Sequence, residues 1–164
     1  MSGAVAGLIA SVKAGSAPAP TNLVANPSFT TNINGWEGSG NISRDTVIFR
    51  SAPASLNTFF DGENIPYAQY GQASALTVGQ RYSLSFWIRN TEASKTFTVQ
   101  FGASQTTRVI PASSSWQNVK FENVLATSSG MGIIIYTTDG SYPYLGSFNI
   151  DDVSVVLGAT ALVL

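Results

Sequence analysis

The feature that most constrains this chain is a two-residue repeat of apolar side chains in its middle third. The apolar members of the first repeat are Tyr82, Leu84, Phe86 and Ile88. A second repeat contains Phe97, Val99 and Phe101. Because successive side chains of a strand point to opposite faces, each repeat predicts a strand with one face in a core. Two more strands are predicted over residues 116–125 and 131–138.

From residue 22 onward the chain alternates such short strand patterns with turn residues, and no segment shows a convincing helical period. This arrangement is typical of a two-sheet antiparallel β-sandwich. A length of 164 residues suits one domain that buries its own core. We therefore predict an all-β fold in a single sandwich.

Two motifs bracket the strand-rich region. Residues 22–29 read Asn-Leu-Val-Ala-Asn-Pro-Ser-Phe, and residues 148–155 read Phe-Asn-Ile-Asp-Asp-Val-Ser-Val, with Asn34-Gly35-Trp36 and the 82–88 strand between them. In this order the motifs resemble the jelly-roll carbohydrate-binding modules of families 4, 9 and 22, which are appended to xylanases, glucanases and many surface or phage proteins. The resemblance covers residues 22–157. It implies a jelly roll in which Trp36 and Trp116 are structural.

The composition argues against several classes of function. The chain has no His and no Cys, which removes the usual general base, the thiolate nucleophile and the common transition-metal ligands. An enzyme would have to use its nine carboxylates, and glycoside hydrolysis needs two of them facing each other. Eight Lys and Arg residues against nine Asp and Glu residues argue against a basic surface for nucleic acid. We expect a non-catalytic protein with no nucleic-acid partner.

Sugar binding requires flat aromatic rings beside hydrogen-bonding side chains. If the apolar rows face the core, then Trp87, Arg89, Gln100 and Tyr136 point away from it. We therefore take these four as candidate carbohydrate-binding residues. Two alternatives remain open, namely that loops cover this surface or that Trp87 belongs to a protein interface.

Two polar-aromatic segments, residues 61–70 and 139–144, have the composition of loops. The first contains Tyr67 and Tyr70, which we add to the candidate carbohydrate-binding residues. Loops commonly carry binding residues. The alternative is that these tyrosines form a packing lid over one end of the sandwich.

The apolar phase of the last strand changes at Asp151 and Asp152, because Phe148 and Ile150 share one parity and Val153 the other. Such a change predicts a β-bulge. A bulge can direct carboxylate and carbonyl oxygens to one point, which suits calcium. The resemblance implies a structural calcium held by this Asp region and an acidic residue after the first motif, but Thr30 occupies that second position. Calcium is thus the one cofactor candidate.

Residues 1–21 differ from the rest, with an apolar segment followed by an Ala/Pro linker. Val5, Leu8, Ile9 and Val12 would form one stripe if the segment were helical. The segment is too short to cross a bilayer and lacks the basic start of a secretory signal. We therefore expect partner docking through these four residues and no membrane insertion; a frayed terminus is the alternative. Residues 158–164 form an apolar tail.

An apolar arm (residues 1–21) with a Pro-containing linker before such a module resembles the start of phage decoration, fibre or tail proteins. This resemblance implies a homo-oligomer that displays the module on the virion surface and docks to other assembly proteins through its arm. Its ligand would be a polysaccharide or cell-surface glycan. One alternative is a free-standing module of a secreted glycoside hydrolase, with an extracellular location. The other is a purely structural jelly roll without sugar binding.

Overall fold

The computed structural model describes residues 19–38, 41–59, 67–72, 75–91, 95–101, 104–137 and 147–164. These residues contain no helix and form ten strands. The strands are β1 (Trp36–Glu37), β2 (Asn41–Asp45), β3 (Ser55–Phe59), β4 (Tyr67–Gln72), β5 (Arg81–Asn90), β6 (Lys95–Phe101), β7 (Ser104–Ile110), β8 (Ser113–Leu125), β9 (Met131–Thr137) and β10 (Phe148–Leu157).

The strands form two five-stranded sheets. The first sheet has the order β1-β4-β9-β6-β7 and the second has the order β2-β3-β10-β5-β8. Every neighbouring pair is antiparallel. The predicted all-β, two-sheet antiparallel sandwich is confirmed.

The core lies between the inner faces of the two sheets. The predicted apolar rows of β5 and β6 are buried there, with Phe86 and Phe97 fully enclosed. Phe97 meets Phe148 of β10 edge to face at 5.1 Å between ring centroids. Because each strand contributes alternate residues to this layer, the other residues of the same strands lie on the two outer faces.

The segment that precedes β1 lies against the second half of β10. The Leu23 amide donates to the Val155 carbonyl at 2.8 Å, and the Val153 amide donates to the Pro27 carbonyl at 2.9 Å. The segment therefore runs antiparallel to β10. Its end brings Phe29 into contact with Trp36, 5.4 Å between centroids. Trp36 is buried in the core as expected, while Trp116 is half-buried on the edge strand β8.

Residues 158–164 cross the outer face of the second sheet. The hydroxyl of Ser83 donates to the Gly158 carbonyl at 2.9 Å, and that of Ser85 donates to the Leu162 carbonyl at 2.7 Å. Ser154 also donates to the Leu162 carbonyl. The apolar tail is thus packed on its own domain. Over the described ranges there is no helix with the length and hydropathy needed to span a bilayer.

Candidate functional site

The four candidate residues on strands lie on opposite sides of the sandwich. All four point away from the core, as predicted. Trp87 and Arg89 lie on β5, in the second sheet, whereas Gln100 lies on β6 and Tyr136 on β9, in the first sheet. The four residues therefore lie on two separate surfaces.

The outer face of the first sheet, here called the tyrosine face, carries two rows of side chains across its strands. In one row, Tyr136 of β9 is paired with Tyr67 of β4 and with Thr98 of β6. The next row contains Glu37 of β1, Gln69 of β4, Ile134 of β9 and Gln100 of β6. Thr98 is buried and the exposed member is Glu37, while the tyrosines, both glutamines and Ile134 are partly exposed.

The alternation of β9 creates this surface. Met131, Ile133 and Ile135 are buried in the core, so Ile134 and Tyr136 must face outward. Directly paired residues of antiparallel strands have Cβ atoms about 5 Å apart. The rings of Tyr67 and Tyr136 are therefore neighbours on adjacent strands, and together they can offer a flat apolar surface.

Beyond the glutamine row, the floor of the tyrosine face consists of backbone. Gly71 and Gly132 are paired there, and a Cβ atom on either residue would meet nothing within 4 Å. Tyr67 and Gly71 are four residues apart on one strand, which corresponds to about 13 Å at 3.3 Å per residue. The face thus presents aromatic rings, then amides, then an open floor.

Tyr70 does not belong to this surface, and the prediction that it lies in a loop is wrong. It lies within strand β4 and is 3% exposed. Its ring packs against Trp36 at 5.2 Å between centroids, and its hydroxyl accepts the Ala25 amide at 3.0 Å. The parity of β4 places Ala68 and Tyr70 in the core and Tyr67 outside, which removes Tyr70 from the candidate sugar-binding residues.

Other parts of the chain pack on the outer face of the second sheet, here called the tail face, where Trp87 and Arg89 stay partly exposed. The Arg50 guanidinium lies 4.1 Å from the centroid of the Trp87 ring, and the Trp87 indole donates to the Leu164 carbonyl at 3.3 Å. Arg89 donates to the Ser114 carbonyl at 3.0 Å. Both candidates already have partners within the domain, as the alternative of a covering segment predicted.

Asp151 and Asp152 lie at the predicted bulge, which is confirmed by a register shift between Asp151 and Ser154. Asp152 has the left-handed φ of 50°. The Asp151 carboxylate accepts the amides of Arg50 at 2.9 Å and Ser51 at 3.0 Å. Burial raises the pKa of Asp151 to about 6, and the neighbouring Asp152 charge acts in the same direction.

The oxygens of these two carboxylates do not fit the calcium site that the sequence suggested. Asp152 forms an ion pair with Arg50 and also accepts the hydroxyls of Ser28 at 2.8 Å and Ser51 at 2.5 Å. A guanidinium and hydroxyl donors therefore surround the oxygens that would bind the metal. No group of three or more Asp, Glu, His or Cys side chains suited to a metal occurs within the described ranges.

Several predicted residues lie outside the described residues. These are Val5, Leu8, Ile9 and Val12 of the arm, and the 61–66 and 139–144 parts of the polar-aromatic segments. Conversely, sequence reasoning missed Gln69, Ile134 and Glu37. Strand alternation could have indicated Ile134, because a core-facing Ile133 and Ile135 place the residue between them on the opposite face. Glu37 and Gln69 become part of the surface only through strand pairing.

No protein-family model and no curated protein matches the chain. Solved structures do match its fold. A family 61 carbohydrate-binding module in complex with β-1,4-galactotriose is 15% identical with a TM-score of 0.62, and the match covers 84% of this chain and 99% of that one. The family 22 xylan-binding domain CBM22-1 of Paenibacillus barcinonensis Xyn10C is 16% identical with a TM-score of 0.65, covering 89% and 100%.

A third match is the enzymatically active domain of tailspike protein 4 from bacteriophage CBA120. It is 15% identical with a TM-score of 0.62, and the match covers 83% of this chain but 21% of the tailspike chain. At these identities the matches establish the fold, and a shared fold does not by itself transfer a ligand. The resemblance to carbohydrate-binding-module jelly rolls is confirmed at the level of the fold.

Proposed function

We propose that this protein is a non-catalytic carbohydrate-binding domain that binds a polysaccharide or cell-surface glycan through the tyrosine face. The observation that carries this proposal is the cross-strand pairing of Tyr67 with Tyr136 beside the row of Gln69 and Gln100. Aromatic rings can stack on the apolar faces of sugar rings, while amides donate to and accept from hydroxyl groups. The open glycine floor leaves room for more than one sugar unit along the strands.

The chemistry of the face supports binding without hydrolysis. Within the described part of the tyrosine face, the one carboxylate is Glu37, on the short edge strand β1. Hydrolysis of a glycosidic bond normally requires two carboxyl groups on either side of the bond. The two buried carboxylates of β10 are engaged by Arg50 and Ser51 on the other side of the sandwich.

We further propose that residues 1–21 attach the domain to a virion as a homo-oligomeric decoration, fibre or tail protein, with the sandwich on the virion surface. The apolar arm and Ala/Pro linker support this assignment, as does the fold match to a phage tailspike domain. The match to xylan-binding domains supports the alternative of a secreted polysaccharide-binding module.

The experiment that tests sugar binding is a glycan-array and polysaccharide-retention screen of the full chain, with Tyr136→Ala and Trp87→Ala compared with the wild type. We expect the wild type to bind and Tyr136→Ala to lose about 30-fold or more in affinity, the effect of removing a central aromatic contact. Trp87→Ala should bind like the wild type.

The two variants make the outcomes distinct once circular dichroism shows that both are folded. Binding that disappears in Trp87→Ala and persists in Tyr136→Ala would place the site on the tail face and contradict the assignment. No binding by any form would favour the purely structural jelly roll.

The arm proposal has a separate test, which is the deletion of residues 1–20. We expect the shortened protein to fold, because the first described contacts with β10 are made by Asn22, whose side chain bonds Val153 and Val155, and by Leu23. It should no longer join particles assembled in its presence. Normal incorporation of the shortened protein would refute docking through the arm.

A further inference from the structure

Two arginine side chains donate hydrogen bonds to oxygen atoms at the bulge of β10 and in the segment beside it. Arg50 forms an ion pair with Asp152, whose side chain is 3% exposed, against 29% for that of Arg50. The backbone amide of Arg50 donates to Asp151 at 2.9 Å. One residue therefore neutralises the charge of one carboxylate and hydrogen-bonds the other.

Arg44 acts on the segment that packs beside the bulge. Its Nε donates to the Phe29 carbonyl at 2.7 Å, and its Nη2 donates to the Thr30 carbonyl at 2.5 Å. Ser28, the residue before Phe29, donates its hydroxyl to Asp152 at 2.8 Å. The short stretch from Ser28 to Thr30 is thus held by Asp152 at one end and by Arg44 at the other.

The backbone at this place needs such support. Phe29 and Asp152 both have φ of 50°, a conformation that is strained for residues other than glycine and persists where surrounding contacts fix it. Carboxylate and carbonyl oxygens gathered beside such turns are the ligands that calcium takes in proteins. Here the same kinds of oxygen receive N–H groups from planar, permanently charged guanidiniums.

We propose that Arg44 and Arg50 take the place of a bound calcium ion at the β10 bulge, so that the stability of the domain depends on these guanidiniums and not on a divalent cation. Thr30 is consistent with this arrangement because it adds no carboxylate. An ion at Asp152 would have to displace the Arg50 guanidinium. This proposal does not depend on sugar binding.

The first test is the thermal unfolding of the full chain in excess EDTA and in millimolar calcium at matched ionic strength. We expect the same Tm in both, because an ion that binds the folded state raises Tm by mass action. A calcium-dependent rise would overturn the proposal.

The second test replaces each guanidinium. Arg50→Met and Arg44→Met should each lower Tm by roughly 5–10 °C. The first leaves the buried Asp152 charge without its ion-pair partner, and the second removes the donor to the Phe29 and Thr30 carbonyls. Arg81→Met is the matched control, because Arg81 is exposed and its Nη1 donates to a carbonyl, that of Asn123 at 2.7 Å. Its Tm should change by about 2 °C at most. Equal losses in Arg50→Met and Arg81→Met would contradict the proposal.

The third test adds calcium to Arg50→Met. It shows whether Arg50 takes the place of a cation or only forms an ordinary ion pair with Asp152. We expect calcium to restore part of the lost Tm and sodium at the same ionic strength to restore none. If Arg50→Met does not fold, Arg50→Gln serves the same comparison, because it keeps a donor for Asp152 and loses the charge. A Tm that calcium leaves unchanged in the folded variant would show that the oxygens do not form a cation site, and would overturn the proposal.

Discussion

The two outer faces of the sandwich differ in what lies on top of them. On the tail face, outward Ser85 and Ser154 are 0% exposed, because residues 158–164 cross them and accept their hydrogen bonds. On the tyrosine face, outward Tyr67, Gln69 and Ile134 are partly exposed. Both faces come from the same strand alternation. Their different exposure therefore follows from where residues 158–164 pack, and not from the strand pattern.

An aromatic residue that points outward from a strand is therefore not by itself evidence of a ligand site. Trp87 points away from the core, as a sugar-stacking residue would. The Arg50 guanidinium nevertheless lies over its ring, and its indole donates a hydrogen bond to the Leu164 carbonyl of the tail. Tyr136 has the same alternation and lies beside Tyr67 on the tyrosine face. We therefore expect an aromatic side chain on the tail face to contribute to stability, and one on the tyrosine face to contribute to the proposed sugar binding. Four variants or conditions test this contrast.

The largest effect on stability is expected from deletion of residues 158–164. The tail receives hydrogen bonds from Ser83, Ser85, Ser154 and Trp87, and its Ala161 amide donates to Glu122. At about 0.5–1.5 kcal/mol each, these contacts amount to about 4 kcal/mol, or a fall in Tm of roughly 8–16 °C. Calorimetry measures the fall, and retention on polysaccharide should be unchanged. Loss of binding in a shortened protein that remains folded would show that the tail face takes part in recognition.

The second effect concerns pH, because the pKa of Asp151 is raised to about 6 from 3.8. Between these two pH values Asp151 is protonated in a larger fraction of folded than of unfolded molecules. The contribution of Asp151 to stability therefore rises as pH falls through 6 and is complete below about 4, with an upper limit of about 3 kcal/mol. The Tm of the wild type relative to that of Asp151→Asn should therefore rise as the pH is lowered from 7 to 4.5.

Ser51→Ala is the control for this pH dependence, because its backbone amide still donates to Asp151 at 3.0 Å while the hydroxyl contact to Asp152 is lost. It should lower Tm by a similar amount at both pH values. A difference between the wild type and Asp151→Asn that does not change with pH would show that Asp151 is already ionised at pH 4.5.

Much of the fold was predictable because its signals are local. Alternation identified β5, β6 and β9, and the change of phase at Asp151 located the bulge. The tyrosine face was only half predictable, since the pairing of Tyr67 with Tyr136 joins residues that are far apart in sequence. Tyr70 was misplaced because its surroundings have a loop-like composition. The contacts of Arg50 with Asp152 had no sequence signal, because the partners are more than a hundred residues apart.

A third, smaller effect is expected from Trp87→Ala. The variant removes the cation–π contact with Arg50 and the hydrogen bond to the Leu164 carbonyl, which together contribute about 1–2 kcal/mol. Tm should fall by roughly 2–8 °C. Tyr67→Ala on the opposite face is the matched control. Its Tm should fall less, because Trp87→Ala removes a larger ring together with the contacts to Arg50 and Leu164. A larger fall for Tyr67→Ala would reverse the contrast between the faces.

The smallest effect on stability is expected from Gly132→Ala on the tyrosine face. A Cβ there meets nothing within 4 Å, and alanine reduces the entropy of the unfolded chain, so the free energy of unfolding should stay equal or rise by up to about 1 kcal/mol. Gly38→Ala is the contrasting variant. Its Cβ would lie 2.2 Å from Cγ2 of Ile42 and 2.5 Å from the Tyr67 carbonyl oxygen, so it must lower Tm. Urea unfolding of both variants measures the difference. A loss of stability in Gly132→Ala equal to that in Gly38→Ala would mean that the floor of the tyrosine face is filled, and a ligand could not lie on it.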